Sequence, residues 1–202
     1  MDTIFQSVFG FDIDGVLTND DDGECSIWLK EASAYFGQPI LRRAYYIEDA
    51  FSKSRSEVQE FFKARLETIF KTVPPREHSA ETIQGLFSRG CTVHLITARD
   101  ERHRGVTENW LYRHNIPYHT LSMSPAHQSY SKGAKCQELG VEFFVDDKAE
   151  NAEDVASRDI YTLLYHASHN RHHETSIPLV KSWLEVQAHI ALFFEQRNRQ
   201  AR

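Results

Sequence analysis

The chain has 202 residues, is 41% hydrophobic and 12% aromatic, and carries a formal charge of −6 from 23 Lys+Arg against 29 Asp+Glu. This length suits one sizeable core with an inserted or appended subdomain. An acidic balance without a basic block argues against a protein that coats nucleic acid, which needs a Lys/Arg face to release counterions. No apolar run approaches the roughly 20 residues of a membrane span, the stretch before Asp12 lacks the cationic start of an export signal, and the three scattered cysteines, Cys25, Cys91 and Cys136, favour neither a disulfide framework nor a cysteine-rich zinc site. A reducing, cytoplasmic setting is expected, with no membrane and no nucleic-acid partner.

In chain order, the β-branched and aromatic run 8–11 reads as a buried strand that exits into Asp12-Ile13-Asp14-Gly15. Residues 19–75 read as helices without a strand. Trp28, Leu29, Ala32, Tyr35 and Phe36 form one stripe; Ser54 to Glu57 has capping-box spacing, and Val58 to Phe70 continues at helical period until Pro74-Pro75. This segment is expected to be a helical cap of residues 19–75, inserted after the first strand of a core made of 1–18 and 76–202. Most of its aromatics belong to the cap's own core, with Tyr45, Tyr46 or Phe51 the candidates to face a ligand. Beyond the cap, helices are expected over 80–88, 106–114, 132–139 and 178–196, and strands over 91–96, 141–145 and 160–164. Strands alternating with helices predict an α/β, three-layer Rossmann-like parallel sheet, whose ligands bind outside the carboxyl ends of the strands.

The acidity has an address in that scheme. Asp12 and Asp14, with Asp20 to Asp22 soon after, and the doublet Asp146-Asp147 follow apolar runs instead of being scattered through Glu/Lys helix faces. In extended backbone alternate side chains share a face, so Asp12 and Asp14 can address one reacting group. One carboxylate can attack phosphorus while the other passes a proton to the leaving group, and carboxylate oxygens are the hard ligands that Mg²⁺ prefers. The run from His166 to His173 is histidine-rich but lies in a Ser/Asn context, and it reads as a polar loop beside the site, not a zinc ligand set. His94, Cys91 and Cys136 read as interior residues.

The string FDIDGVLT resembles the first motif of the haloacid dehalogenase superfamily in its phosphatase form, and the rest of the chain supplies the other three motifs in order: HLITAR, SKGAKCQELG and FFVDDKAENA. The resemblance implies Asp12 as nucleophile and metal ligand, and Asp14 as acid/base whose main-chain carbonyl reaches the metal. Thr97, Ala98 and Lys132 are then the phosphate binders, with Lys135 as the rival lysine. Asp146 and Asp147 complete a Mg²⁺ site, with the direct ligand of the two left open. Arg99, following Thr97 at a strand end, is expected either in a forked contact with a second phosphate or a ribose or in a surface pair with Asp100 or Glu101. The helical cap, Thr97-Ala98-Arg99, Ile116-Pro117-Tyr118, the acidic doublet and Asn170-Arg171 look like the 5′(3′)-deoxyribonucleotidase, or type C nucleotidase, branch, although animal members carry Thr-Ser where this chain has Thr97-Ala98. The implied activity is Mg²⁺-dependent phosphomonoester hydrolysis through an aspartyl-phosphate, on a small phosphorylated metabolite, with nucleoside monophosphates foremost. The alternatives are a phosphatase for a sugar phosphate or similar metabolite, and a non-catalytic binding module on the same fold.

Overall fold

The computed structural model describes residues 7–22, 24–125 and 130–200. Most of the stretch read above as lacking an export signal, residues 1–6, lies outside the described residues. Six parallel strands form one sheet in the order β3-β2-β1-β4-β5-β6: β1 (Val8–Phe11), β2 (Thr92–Asp100), β3 (Thr120–Ser124), β4 (Phe143–Asp146), β5 (Tyr161–Tyr165) and β6 (Leu179–Val180). The four strands expected from apolar runs are the four central ones. The two edge strands escape that criterion because β3 reads Thr-Leu-Ser-Met-Ser and β6 is two residues long. Leu179 and Val180 therefore form an edge strand, and the last helix starts only at Trp183.

Both faces of the sheet are covered, which is why its central strands are apolar runs and not alternations. Phe9 and Phe11 of β1, with Phe143 and Val145 of β4, pack on one face; Phe144 turns to the other, as the period of two requires. The first face is covered by α4 (Ser79–Ser88), α5 (Arg104–Arg113) and α8 (Trp183–Gln200), which contribute Ile83, Leu86, Trp110, Leu111, Val186, Ile190 and Phe193. The second face is covered by α6 (Lys132–Glu138) and α7 (Ala149–Ala156), through Cys136 and Val155. Each fully buried phenylalanine here contributes roughly 2–3 kcal/mol of transfer free energy. Trp110 and Trp183 keep their indole N–H groups satisfied inside this core by donating to the Val73 and Val16 carbonyls at 2.7 and 2.9 Å.

Between β1 and α4 the chain leaves the sheet and forms α1 (Ile27–Phe36), α2 (Ile47–Phe51) and α3 (Arg55–Thr72), which enclose a separate apolar cluster around Leu29, Ala32, Phe51, Val58 and Phe61. The Ser54/Glu57 capping box is formed reciprocally at the start of α3. Phe51 is 2% exposed and fills this cluster, so it faces no ligand. The entry and exit of the insert are zipped together: Thr18 bridges Pro75, Asn19 N–H donates to the Pro74 carbonyl, and Arg76 donates to the carbonyls of Gly15 and Asp21 at 2.9 and 3.1 Å. Asp21 in turn accepts from the Ser168 N–H and hydroxyl, tying the root of the insert to the loop after β5.

Candidate active site

The chain crosses from β3 to β4 past β1, so the sheet order reverses beside β1, and the carboxyl ends of β1 and β4 meet at that switch point, where ligands of such sheets bind. The register Phe11↔Leu95 and Phe11↔Val145 places Asp12, just past β1, beside Asp146, the last residue of β4. Asp12, Asp146 and Asp147 offer oxygens that all lie within 4.8 Å of one another. Lys132, from the start of α6, spans two of them: its Nζ is 2.6 Å from Asp12 Oδ2 and 2.7 Å from Asp146 Oδ2. Lys132 is 2% exposed, whereas Lys135 points away to Glu138 at 2.5 Å. Of the two lysines weighed from sequence, Lys132 is the one brought to the acids.

The two members of the doublet differ. Asp146 has both oxygens engaged, Oδ2 by Lys132 and Oδ1 by the Lys148 N–H at 2.9 Å and Asn151 Nδ2 at 3.3 Å. Asp147 is held by its main chain instead: its carbonyl accepts from Asn170 Nδ2 at 2.6 Å and faces His169 Nε2 at 3.1 Å, while its carboxylate lies over Gly15. Gly15 has φ +73°, and a Cβ there would sit 2.1 Å from Asp147 Oδ2, so both conformation and space demand glycine.

Asp14 lies on the other side of the loop, with its side chain 30% exposed. Arg99 grips it through both oxygens, Nε to Oδ2 at 2.9 Å and Nη2 to Oδ1 at 2.7 Å, with Nη1 donating to Thr107 Oγ1 and the guanidinium 3.8 Å from the centre of the Phe70 ring of α3. The surface pair weighed for Arg99 is not formed: Arg99 is buried, and Asp100 and Glu101 pair with Arg102 and Arg104 instead. Its fork is turned onto the second motif aspartate. Thr97 is fully buried and its hydroxyl accepts the Arg99 N–H at 3.2 Å. The β2–β3 register shifts between Ile96 and Asp100, and Ala98 is exposed within that irregular stretch.

One lysine among several carboxylates leaves the group net negative. Burial pushes Asp12 up to about 7, against the lowering effect of Lys132 and with Asp146 and Asp14 adding to the rise. Asp147 is raised by burial and then by the charges of Asp146 and Asp12. Burial opposes the ammonium of Lys132, yet Asp12 and Asp146 outweigh it and hold its pKa above the usual lysine range. A folded-state pKa above 3.8 means that the native protein holds more protons than the unfolded chain up to about 7, so stability falls as pH rises through that window. Burial holds His94, His103, His114 and His169 below the usual histidine range, which acts in the opposite sense near pH 6.5, so the Asp12 contribution is read as a difference: with chelator present, the midpoint of the wild type relative to Asp12→Asn is expected to rise when the pH is lowered from about 8 to about 6, and saturating divalent cation is expected to flatten that difference. A difference that falls over this range in chelator would contradict this electrostatic account.

Sequence singled out Arg99, Asn170 and the run containing His169 but not what they hold: they act on partners 85, 23 and 22 residues away, and no local pattern announces such pairs. The His166 to His173 loop forms no metal-ligand grouping; among the described residues the acidic trio is the grouping found. His94 is buried against Thr120 at 2.7 Å, and Cys91 and Cys136 are buried free thiols, as expected.

A parallel sheet with an aspartate pair leaving β1, an acidic doublet leaving β4 and a lysine between them is the framework of a haloacid dehalogenase superfamily hydrolase. A Streptococcus pneumoniae haloacid dehalogenase-like hydrolase shares the fold with a TM-score of 0.64 at 14% identity, over 91% of this chain and 98% of that one. The chain belongs to the family described as "5' nucleotidase, deoxy (Pyrimidine), cytosolic type C protein", which it matches over residues 6–196. It is similar to a Bacillus cereus protein named "Putative nucleotidase", at 28% identity over 88% of this chain and 95% of that protein, and to a nucleotidase of Clostridium acetobutylicum, at 24% identity over 92% and 94%. The protein is thus a phosphatase of this superfamily. Among the described residues no helix is long and apolar enough to cross a membrane.

Proposed function

We propose that the protein is a Mg²⁺-dependent phosphomonoesterase that works through an aspartyl-phosphate on Asp12 and acts on nucleoside 5′-monophosphates. The observation that carries the chemistry is the convergence of Asp12, Asp146 and Asp147 within 4.8 Å around the buried Lys132. An all-oxygen, net-negative donor set of this kind fits a hard divalent cation. Asp12, Asp147 and the main-chain carbonyl of Asp14 would hold it, with Asp146, already bonded through both oxygens, orienting the group. Bound there, Mg²⁺ offsets carboxylate repulsion and polarises a phosphoryl oxygen.

The chain's own groups do the rest. Asp12 has its Oδ1 2.7 Å from the Ile13 N–H and its Oδ2 2.6 Å from Lys132, which fixes the carboxylate for in-line attack on phosphorus. As the ester bond breaks, Asp14 gives its proton to the leaving oxygen. It then takes a proton from the water that attacks the aspartyl-phosphate, releasing phosphate and restoring Asp12. The Arg99 fork orients Asp14, with one arm of it opening whenever the carboxyl carries the proton, and Thr97 and Lys132 offset charge on the transferring group.

The nucleotide reading rests on Tyr45 and Tyr46. They come from the insert and are 48% and 56% exposed, and the Tyr45 ring stands 5.1 Å from the His169 ring, whose Nε2 faces the Asp147 carbonyl at 3.1 Å, so Tyr45 borders the acidic site. Lys148, next to the doublet, stands 4.4 Å from the Tyr45 ring centre, and the two tyrosine rings are 5.1 Å apart. An aromatic pair at the rim of a phosphate site is a stacking surface for a base. Phosphate release across nucleotides and sugar phosphates, with Mg²⁺ or chelator, checks both parts. Release is expected only with Mg²⁺, with kcat/KM about tenfold or more higher for nucleotides. A response equal with and without chelator would overturn the metal assignment, and equal rates on sugar phosphates would overturn the substrate class.

A further inference from the structure

The loop after β5 carries a buried side chain that the chemistry above does not use. The β4–β5 register ends at the pair Asp146↔Leu164. One residue further on, Asn170 takes over from the ladder: its Nδ2 donates to the Asp147 carbonyl at 2.6 Å and to the Tyr165 carbonyl at 2.7 Å, while its Oδ1 accepts from the Ala167 N–H at 2.9 Å. Asn170 is 3% exposed. Two carbonyls are joined directly only by a group with two donors, and the third bond needs an acceptor on the same side chain. A primary amide has that inventory, whereas a carboxylate lacks the donors and a hydroxyl has one.

The residue held in this way belongs to the acidic trio. Asp146 has donors on both of its carboxylate oxygens, but among the described residues no hydrogen bond reaches the Asp147 carboxylate, and His169 Nε2 lies 3.6 Å from its Oδ2. His169 Nε2 meets the Asp147 carbonyl instead, at 3.1 Å, as a second donor beside Asn170. A carbonyl only accepts, so this nitrogen carries the hydrogen. The Asp147 side chain packs over Gly15, where a Cβ would collide with it. The direction of the carboxylate is therefore set by its main chain on one side and by the turn after β1 on the other. That leaves its oxygens open to a cation and makes the main-chain anchor the part that decides where they point.

We propose that Asn170, with His169 as the second donor, is a positioning residue for the cation site: by tying the Asp147 carbonyl to the end of β5 it pre-sets the Asp147 carboxylate against Asp12 and Asp146, within the 4.8 Å that the trio spans. This rests on the metal reading above. Partners that orient a metal ligand are worth about 10–100-fold in metal affinity. Asn170 acts through Asp147 and touches no reacting atom, so what it governs is the affinity for Mg²⁺, and a loaded site keeps its turnover.

Titration calorimetry of the chelator-treated full chain with Mg²⁺ reads this without turnover, in the wild type, Asn170→Ala, His169→Ala and Ser168→Ala. Ser168 is the matched control, since it lies in the same loop and its bonds go to Asp21 and not to Asp147. The Kd for Mg²⁺ is expected to rise about tenfold or more in Asn170→Ala and to stay within about threefold of the wild type in Ser168→Ala, while kcat of Asn170→Ala at saturating Mg²⁺ returns to within about threefold of the wild type. His169 is partly exposed and its loss spares the fold, so His169→Ala decides the matter if Asn170→Ala does not fold: its Kd is expected to rise by about threefold or more. An unchanged Kd in these variants, an equal rise in Ser168→Ala, or a fall in kcat that excess Mg²⁺ does not recover is what a merely structural role would produce; each overturns the inference and leaves the metal reading intact. A wild type that binds no Mg²⁺ overturns the metal reading as well.

Discussion

Replacing Asp12 with asparagine is expected to lower phosphate release by on the order of 10⁴-fold or more while the thermal midpoint stays level or rises. The amide cannot attack phosphorus, so no covalent intermediate forms, and the remaining positioning and electrostatic terms cannot supply the missing bond-forming step. The stability half of the expectation follows from the same residue's surroundings. Asp12 is buried beside Asp146 and Asp14, which push its pKa up, so its charge is unfavourable in the folded protein even with Lys132 adjacent. The asparagine keeps the volume and removes one negative charge from a crowded group, and Lys132 retains its bond to Asp146. Loss of activity accompanied by a large fall in the midpoint would mean that Asp12 is a structural anchor first, while Mg²⁺-dependent turnover surviving in the variant would remove it from the nucleophile position.

Lys132→Met is expected to be damaging on both counts. It leaves Asp12 and Asp146 buried without the ammonium that bonds both, and removing one partner of a buried ion pair costs about 3–5 kcal/mol. For a chain of this size that is roughly a 10 °C fall in the midpoint. Divalent cation, the other source of positive charge for these acids, is expected to recover more of the midpoint in the variant than it adds to the wild type, without restoring turnover. Lys135→Met is the matched control: it breaks a pair with a largely exposed Glu138, worth at most about 1 kcal/mol, and is expected to leave activity in place. Calorimetry and phosphate release on the two variants separate the lysines, and equal effects would show that Lys132 has no special role at the acids.

Much of the fold was legible in the chain because a sheet covered on both faces writes continuous apolar runs into its central strands, as in Val8 to Phe11 and Phe143 to Val145. The helices of the insert were legible for a comparable reason: one-sided burial leaves a period near 3.6, and Ser54 and Glu57 form a local hydrogen-bonded start that needs no distant partner. The edge strands β3 and β6 were not, since a short strand paired on one side has no apolar run to display.

The sequence by itself determined the chemical inventory at the strand ends: Asp12 and Asp14 around a glycine-bearing turn, the Asp146-Asp147 doublet, and two lysines within reach of them. Side-chain type and local spacing are enough for that, because strand period and chain direction place such residues at one rim. Only the tertiary structure decided between Lys132 and Lys135, turned the Arg99 fork onto Asp14, set Phe51 inside the insert with Tyr45 and Tyr46 at its edge, and brought Asn170 onto the Asp147 carbonyl. Those outcomes depend on which distant groups share a desolvated volume. Charge pairing and burial there are settled by packing between elements that are far apart in the chain, so no stretch of sequence holds them alone.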